Sequence, residues 1–145
     1  MNKNKGFTII ELIVVIAIIA VLAAIVLVNV TQYISKSKDA AIKSDVANIG
    51  VGMATCYSET GTYTGCAADA DYVPTTLAAD ITAQNGAGGA DLIVNVTAIT
   101  GAAYCASAEL ATSTSDNAYV CIDSTGVTKS SATSTCGAAA TACPN

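Results

Sequence analysis

The sequence predicts an α+β chain, one long N-terminal helix (a transmembrane half plus an amphipathic half) packed on a small antiparallel β-sheet head. Three observations carry this. Between residues 7 and 30, 21 of 24 residues are apolar, the exceptions being Thr8, Glu11 and Asn29. From residue 7 no Pro or Gly interrupts the chain until Gly50, so nothing breaks a helix over that stretch. From about Cys56 the texture changes to Ala, Thr, Ser, Gly and Asp, and this zone carries all six cysteines. At 145 residues there is room for one domain.

Composition narrows the function classes. The chain is 52% hydrophobic and 12% charged, with a net charge of −5. It is too acidic for a basic nucleic-acid binder and too apolar for a disordered segment. It has no His, which removes the commonest general base and the commonest zinc ligand together. An ordinary soluble enzyme is disfavoured from the start.

Residues 7–30 would make about 36 Å of helix, enough to cross a hydrocarbon core of about 30 Å. The stretch is too long for a cleaved secretory signal, whose apolar region runs to roughly 15 residues. A plain membrane anchor fits the length but leaves Glu11 unexplained, because charges in a span are expensive and usually functional. The remaining reading is a helix that first waits in a membrane and later packs against copies of itself. Lysines do not orient it, since Lys3 and Lys5 precede the span while Lys36, Lys38 and Lys43 follow it.

Lys5-Gly6-Phe7-Thr8-Ile9-Ile10-Glu11-Leu12, running into an unbroken apolar stretch, resembles the cleavage and methylation signal of type IV prepilins. The resemblance covers about 30 of 145 residues, with only Ile9 departing mildly from the usual Leu or Thr. It implies that a membrane prepilin peptidase cuts between Gly6 and Phe7 and that the new N-terminal Phe7 is methylated. It also implies that Glu11, fifth in the mature chain, acts in assembly. Physical chemistry supports such a role. Cutting after Gly6 exposes an α-amine with a pKa near ~8, mostly cationic at neutral pH. In a bundle of staggered helices Glu11 of one subunit can reach the amine of the next. At ~4 Å and an effective dielectric of ~20 the pair gains about 4 kcal/mol before desolvation, and an unpaired buried carboxylate is penalised, so the pair sets the stagger.

Beyond the span, Ile34, Ala41, Ile42, Val46, Ile49 and Met53 recur at helical spacing and read as a core-facing stripe. One continuous helix is expected over residues 7–57. Many bacterial members of the pilin family carry a helix-breaking Pro at about the twenty-second mature residue. Here that position is Val28, and the only prolines are Pro74 and Pro144, so the usual cause of melting is missing there.

The zone from residue 55 to the end holds twelve Val, Leu or Ile and five Tyr, a thin core that calls for staples. Cys56, Cys66, Cys105, Cys121, Cys136 and Cys143 can supply them as disulfides. Six cysteines allow 15 pairings. Spacing favours nearest neighbours, Cys56–Cys66, Cys105–Cys121 and Cys136–Cys143, each worth about 2.5–3 kcal/mol by loop entropy. No C-x-x-C pair and no His occur, so no metal site is expected. Disulfides place the head outside the cytoplasm.

Residues 91–99 (DLIVNVTAI) read as a strand with Leu92, Val94, Val96 and Ala98 on one face. AAYCASA and AYVCIDS read as hairpin arms that put Cys105 opposite Cys121, and residues 127–130 add a short strand. Residues 57–81 are read as a connecting loop and residues 85–89 as an exposed turn. Glu59, Asp69, Asp71 and Asp80 are candidate calcium ligands, but without EF-hand spacing they are better read as solvated carboxylates. Asn95-Val96-Thr97 matches a glycosylation sequon within the expected strand, and the Ser/Thr tracts at 112–115 and 130–135 suit either O-linked sugar or plain solvated loops. No catalytic constellation is present, and no cofactor is expected.

The expected organisation is a leader at 1–6, a transmembrane and assembly helix at 7–30, an amphipathic helix at 31–57 and a disulfide-stapled head at 58–145. The resemblance implies a structural subunit of a type IV pilus-like filament, or alternatively a pseudopilin of a type II secretion system. Its partners would be copies of itself, prepilin peptidase and the pilus assembly machinery. It would lie in the bacterial inner membrane as a precursor, then in an extracellular filament. Residues 55–145 carry eight carboxylates against Lys129 alone, so direct nucleic acid binding is not expected.

Overall fold

The computed structural model describes residues 6–85, 92–96, 101–112, 118–133, 136 and 142–143. They form helix α1 (Ile9–Thr60), a 3₁₀ turn (Cys66–Ala68), helix α2 (Thr75–Asn85) and strands β1 (Ile93–Val96), β2 (Tyr104–Glu109), β3 (Tyr119–Asp123) and β4 (Thr128–Ser131). The strands pair in the order β1-β2-β3-β4, every pair antiparallel. This is the α+β architecture expected, a long N-terminal helix followed by a small antiparallel sheet. The chain divides into two compact units, residues 1–34 and 35–145.

The first unit is the apolar start of α1. Among the described side chains, its Ile, Leu and Val residues are exposed in the single chain. A helix satisfies its backbone groups internally, which is what a hydrocarbon phase requires of a segment that enters it.

The helix ends at Thr60, three residues beyond the expected end at residue 57. Gly61 adopts φ +74°, and its N–H donates to the Tyr57 carbonyl at 2.9 Å, so a left-handed glycine closes the last turn. Gly52, inside the helix, is there for closeness. A Cβ at that position would run into the backbone carbonyl of Tyr72, so the loop after the 3₁₀ turn lies directly on α1.

In the second unit, Ile42, Val46, Ile49 and Met53 of α1 are fully buried. They form one core with Ile81 of α2, Tyr104, Ala106 and Ala108 of β2, and Val120 and Ile122 of β3. Leu92, Val94 and Val96 pack against the same core, the face expected for that strand. Alternation then sends Cys105, Ser107, Cys121 and Asp123 to the other side of the sheet, where Cys136 and Cys143 join a second buried cluster. Both faces of the sheet are therefore covered.

The structure pairs Cys56 with Cys66, Cys105 with Cys136, and Cys121 with Cys143. The expected Cys105–Cys121 and Cys136–Cys143 pairs are corrected. The reason lies in the register, which sets Cys105 opposite Asp123 and Cys121 opposite Ser107. The two strand cysteines are thus diagonal neighbours, whose backbones lie too far apart for a relaxed bridge. The C-terminal segment offers each a closer partner, at Cα separations of 5.5 and 5.9 Å. The longer loops they close, spanning 31 and 22 residues, contribute about 3–4 kcal/mol each on the chain-entropy model.

A second correction concerns residues 57–81. Rather than a loop throughout, the segment enters α2 at Thr75. Pro74 stands just before it, where a missing N–H costs no helical bond, and its carbonyl accepts the Leu77 N–H at 3.0 Å. Asn85, read as part of an exposed turn, is the half-buried last residue of α2, and its amide donates to the Glu109 carbonyl at 2.9 Å. Residues 86–89 lie outside the described residues, as do Ala98, Ile99 and Thr97 of the sequon.

Two carboxylates tie distant segments together. Asp39 of α1 accepts from the Thr112 N–H at 3.0 Å and from the Thr112 hydroxyl. Asp123 accepts from the N–H and hydroxyl of Thr125 at 2.9 and 2.5 Å, and from the Cys143 N–H at 2.9 Å. Burial acts to raise the Asp123 pKa, but hydrogen bonds from Thr125, Cys143 and Val127 outweigh it and hold the carboxyl below its ordinary value.

Candidate functional site: the N-terminal signal

Gly6 and Phe7 precede the helix, and the Phe7 side chain is 76% exposed. Thr8 occupies the N-cap position, its carbonyl accepting the first helical bond from Leu12 at 3.3 Å. Glu11 is then the third helical residue. Its Oε2 accepts from the Thr8 N–H at 2.8 Å and from the Thr8 hydroxyl at 2.7 Å, while the Glu11 N–H donates to Thr8 Oγ1 at 3.3 Å. This reciprocal arrangement is a capping box, built from Thr8-Ile9-Ile10-Glu11. The sequence reading singled out Glu11 but missed its partner. The signal was there, a Thr followed three residues later by a Glu just before an apolar run.

The box gives Glu11 a structural use within the single chain. The first N–H groups of a helix have no intrahelical partner, and its N-terminus carries partial positive charge. A carboxylate held there in the single chain lies beside the residue whose amine a cut after Gly6 would free. Past it, α1 is long and apolar enough to cross a membrane, and the most apolar window is wholly exposed.

Other residues singled out from the sequence fall into separate places. Glu59 accepts a hydrogen bond from the Tyr72 hydroxyl at 2.5 Å, and Asp69 and Asp71 lie close enough to act on the same phenol. That hydrogen bond, with burial and the three negative charges, raises the Tyr72 pKa. Asp80 faces Asp45 instead, whose pKa is raised by desolvation and by Asp80 against a hydrogen bond from Gln84. The four candidate calcium ligands thus do not converge. All six cysteines are consumed in disulfides.

An exposed apolar helix with a capped, carboxylate-bearing start, followed by a small disulfide-bonded sheet, defines a pilin-like architecture with a membrane-inserting N-terminus. The comparison with known families agrees at that end of the chain. Residues 1–27 match the prokaryotic N-terminal methylation motif, the signal of type IV prepilins. No curated protein and no solved structure matches the chain. The motif supports a type IV pilin-like or pseudopilin-like protein, structural in character, processed by a prepilin peptidase and anchored in a membrane as its precursor.

Proposed function

We propose that the chain is the subunit of a type IV pilus-like surface filament. The observation that carries this is the methylation motif at 1–27 running in register into an exposed apolar helix with Glu11 at its capped start. In this reading prepilin peptidase cuts between Gly6 and Phe7, the Phe7 amine is methylated, and α1 waits in the inner membrane until it joins a helical homopolymer. Glu11 then exchanges its local donors for the amine of a neighbouring copy, which sets the stagger. Three disulfides in the second unit favour a fibre exposed outside the cell over a secretion pseudopilus, because an external fibre gains most from covalent staples.

The test is an intact mass, before and after reduction, on filaments sheared from producing cells. A chain beginning at methylated Phe7 and gaining six hydrogens on reduction is expected, one pair for each disulfide. If the sheared material lacks the protein while membranes hold the same processed chain, the pseudopilin reading replaces this one. Retention of residues 1–6 in the membrane form would overturn both.

A further inference from the structure

One face of the sheet gathers four sulfurs. The Cys105–Cys136 and Cys121–Cys143 bridges belong to one buried cluster there, whereas Cys56–Cys66 lies in the core on the other face. The two bridges touch. Cys121 Sγ lies 3.4 Å from Cys105 Sγ and 3.7 Å from Cys136 Sγ. The sulfur bonded to Cys143 is therefore also in contact with both sulfurs of the neighbouring bridge. Two bridges that only staple the sheet have no need of that contact.

A second observation falls at the same sulfur. The register sets Ser107 directly opposite Cys121 on the same face, where opposed Cβ atoms are about 4.5–5.5 Å apart. Ser107 is 1% exposed, and among the described residues its hydroxyl has no hydrogen-bond partner. Leaving a buried hydroxyl unsatisfied is unfavourable, so it calls for a reason. A disulfide sulfur is a weak acceptor. A thiolate at Cys121 would be a strong one, because hydrogen bonds to ionised groups are roughly twice as strong as neutral ones. The idle hydroxyl marks the place where that charge can form.

We propose that Cys121 is the pivot of a thiol–disulfide exchange site, entered by an external thiol at Cys143 and assisted by the Ser107 hydroxyl. Of the four cysteines only Cys143 keeps any exposure, 8% against 0% for the others. An external thiolate bonds to Cys143 Sγ, the Cys121–Cys143 bond breaks, and its electron pair leaves on Cys121, where Ser107 donates to it. The Cys121 thiolate then bonds to Cys136 Sγ, the Cys105–Cys136 bond breaks, and Cys105 leaves as the thiolate and takes up the proton the external thiol gave up. Two disulfides and one thiol enter, and two disulfides and one thiol remain, so no oxidant is needed. Attack on Cys105 instead would demand the diagonal Cys105–Cys121 bridge, whose backbones lie too far apart. The inner step joins sulfurs already in contact and so outruns attack by a second external thiol. Residue 136 thereby stays tied to β3 while residue 143 is let go. This site goes beyond the filament reading and does not depend on it.

The test is limited treatment of the folded, full-length chain in detergent with mercaptoethanol, then acid quenching, alkylation of free thiols and peptide mapping. A mercaptoethanol adduct on Cys143 and a new Cys121–Cys136 bridge are expected, with alkylation of Cys105 within about tenfold of that of Cys121. Ser107→Ala should slow the appearance of the new bridge about tenfold. It should leave the pairing of untreated protein and its denaturant midpoint unchanged, because an unsatisfied hydroxyl adds nothing to the oxidised fold. The variant Cys143→Ser supplies the Cys121 thiol without any reagent and should show the same sharing of the free thiol between Cys105 and Cys121. Alkylation confined to Cys121, with Cys105–Cys136 intact in both experiments, overturns the exchange. So does a folded chain in which mercaptoethanol opens neither bridge. An unchanged rate in Ser107→Ala removes the hydroxyl from the site.

Discussion

α1 is one helix placed in two environments. Over residues 35–60 its apolar side chains are spent on a core, with Ile42, Val46, Ile49 and Met53 sealed against β2, β3 and α2. Over residues 9–34 chemically similar side chains, Ile16, Ile19, Leu22 and Val26 among them, are exposed in the single chain. The difference teaches that apolar content does not define a core. A stripe on one side of a helix seeks the rest of its own chain, whereas apolar residues on every side seek a membrane or other copies.

Breaking the start of the outward-facing half should have the largest effect. Glu11→Ala is expected to leave the chain processed and membrane-inserted but to remove it from filaments altogether, scored by immunoblot of sheared and membrane fractions. Normal filaments from this variant would exclude a role for the carboxylate in assembly.

The inward-facing half answers to a different measurement. Met53→Ala should destabilise the second unit by about 2–5 kcal/mol through the cavity it leaves. Ile18→Ala, on the exposed side of the divide, should leave denaturant unfolding of that unit unchanged. Equal effects from the two would erase the distinction between the halves.

The staples come next. Removing the longer bridge with Cys105→Ser/Cys136→Ser should cost about 3–4 kcal/mol, while peptide mapping still finds Cys121 joined to Cys143. A Cys121–Cys105 linkage in the wild-type map would refute the corrected pairing.

The smallest effect is a titration. The Asp123 carboxyl is held below its ordinary value of 3.8, so its contribution is present above that pH and is lost as pH falls through the lower folded value. Wild-type stability should therefore drop below about pH 4, and Asp123→Asn should flatten that part of the curve. Denaturant midpoints between pH 2 and pH 6 would show it, and an unchanged slope would remove Asp123 from the account.

Much of this was legible in the sequence because it was local and periodic. The long helix, the core stripe at Ile42, Val46, Ile49 and Met53, and the strands around Val94, Tyr104 and Val120 needed only spacing. α2 escaped because Leu77 and Ile81 are its only large apolar residues and only Ile81 is fully buried, too little for a period to show. The pairing of Cys105 and Cys121 escaped for another reason. It depends on the two-residue offset between strands and on where residues 136 and 143 lie, and neither is written in linear spacing. At the N-terminal signal Glu11 stood out as a charge in an apolar run, whereas Thr8 looked like an ordinary small polar residue until its hydroxyl was seen to bind that carboxylate.

The capping box has a consequence for the order of events. Among the described residues, the bonds that start α1 involve Thr8, Glu11 and Leu12, all on the C-terminal side of the Gly6–Phe7 peptide. Scission at that peptide, or a methyl group on the amine it frees, leaves all of these bonds in place. On this geometry, a cut at the Gly6–Phe7 peptide would leave the start of the helix at the same residue.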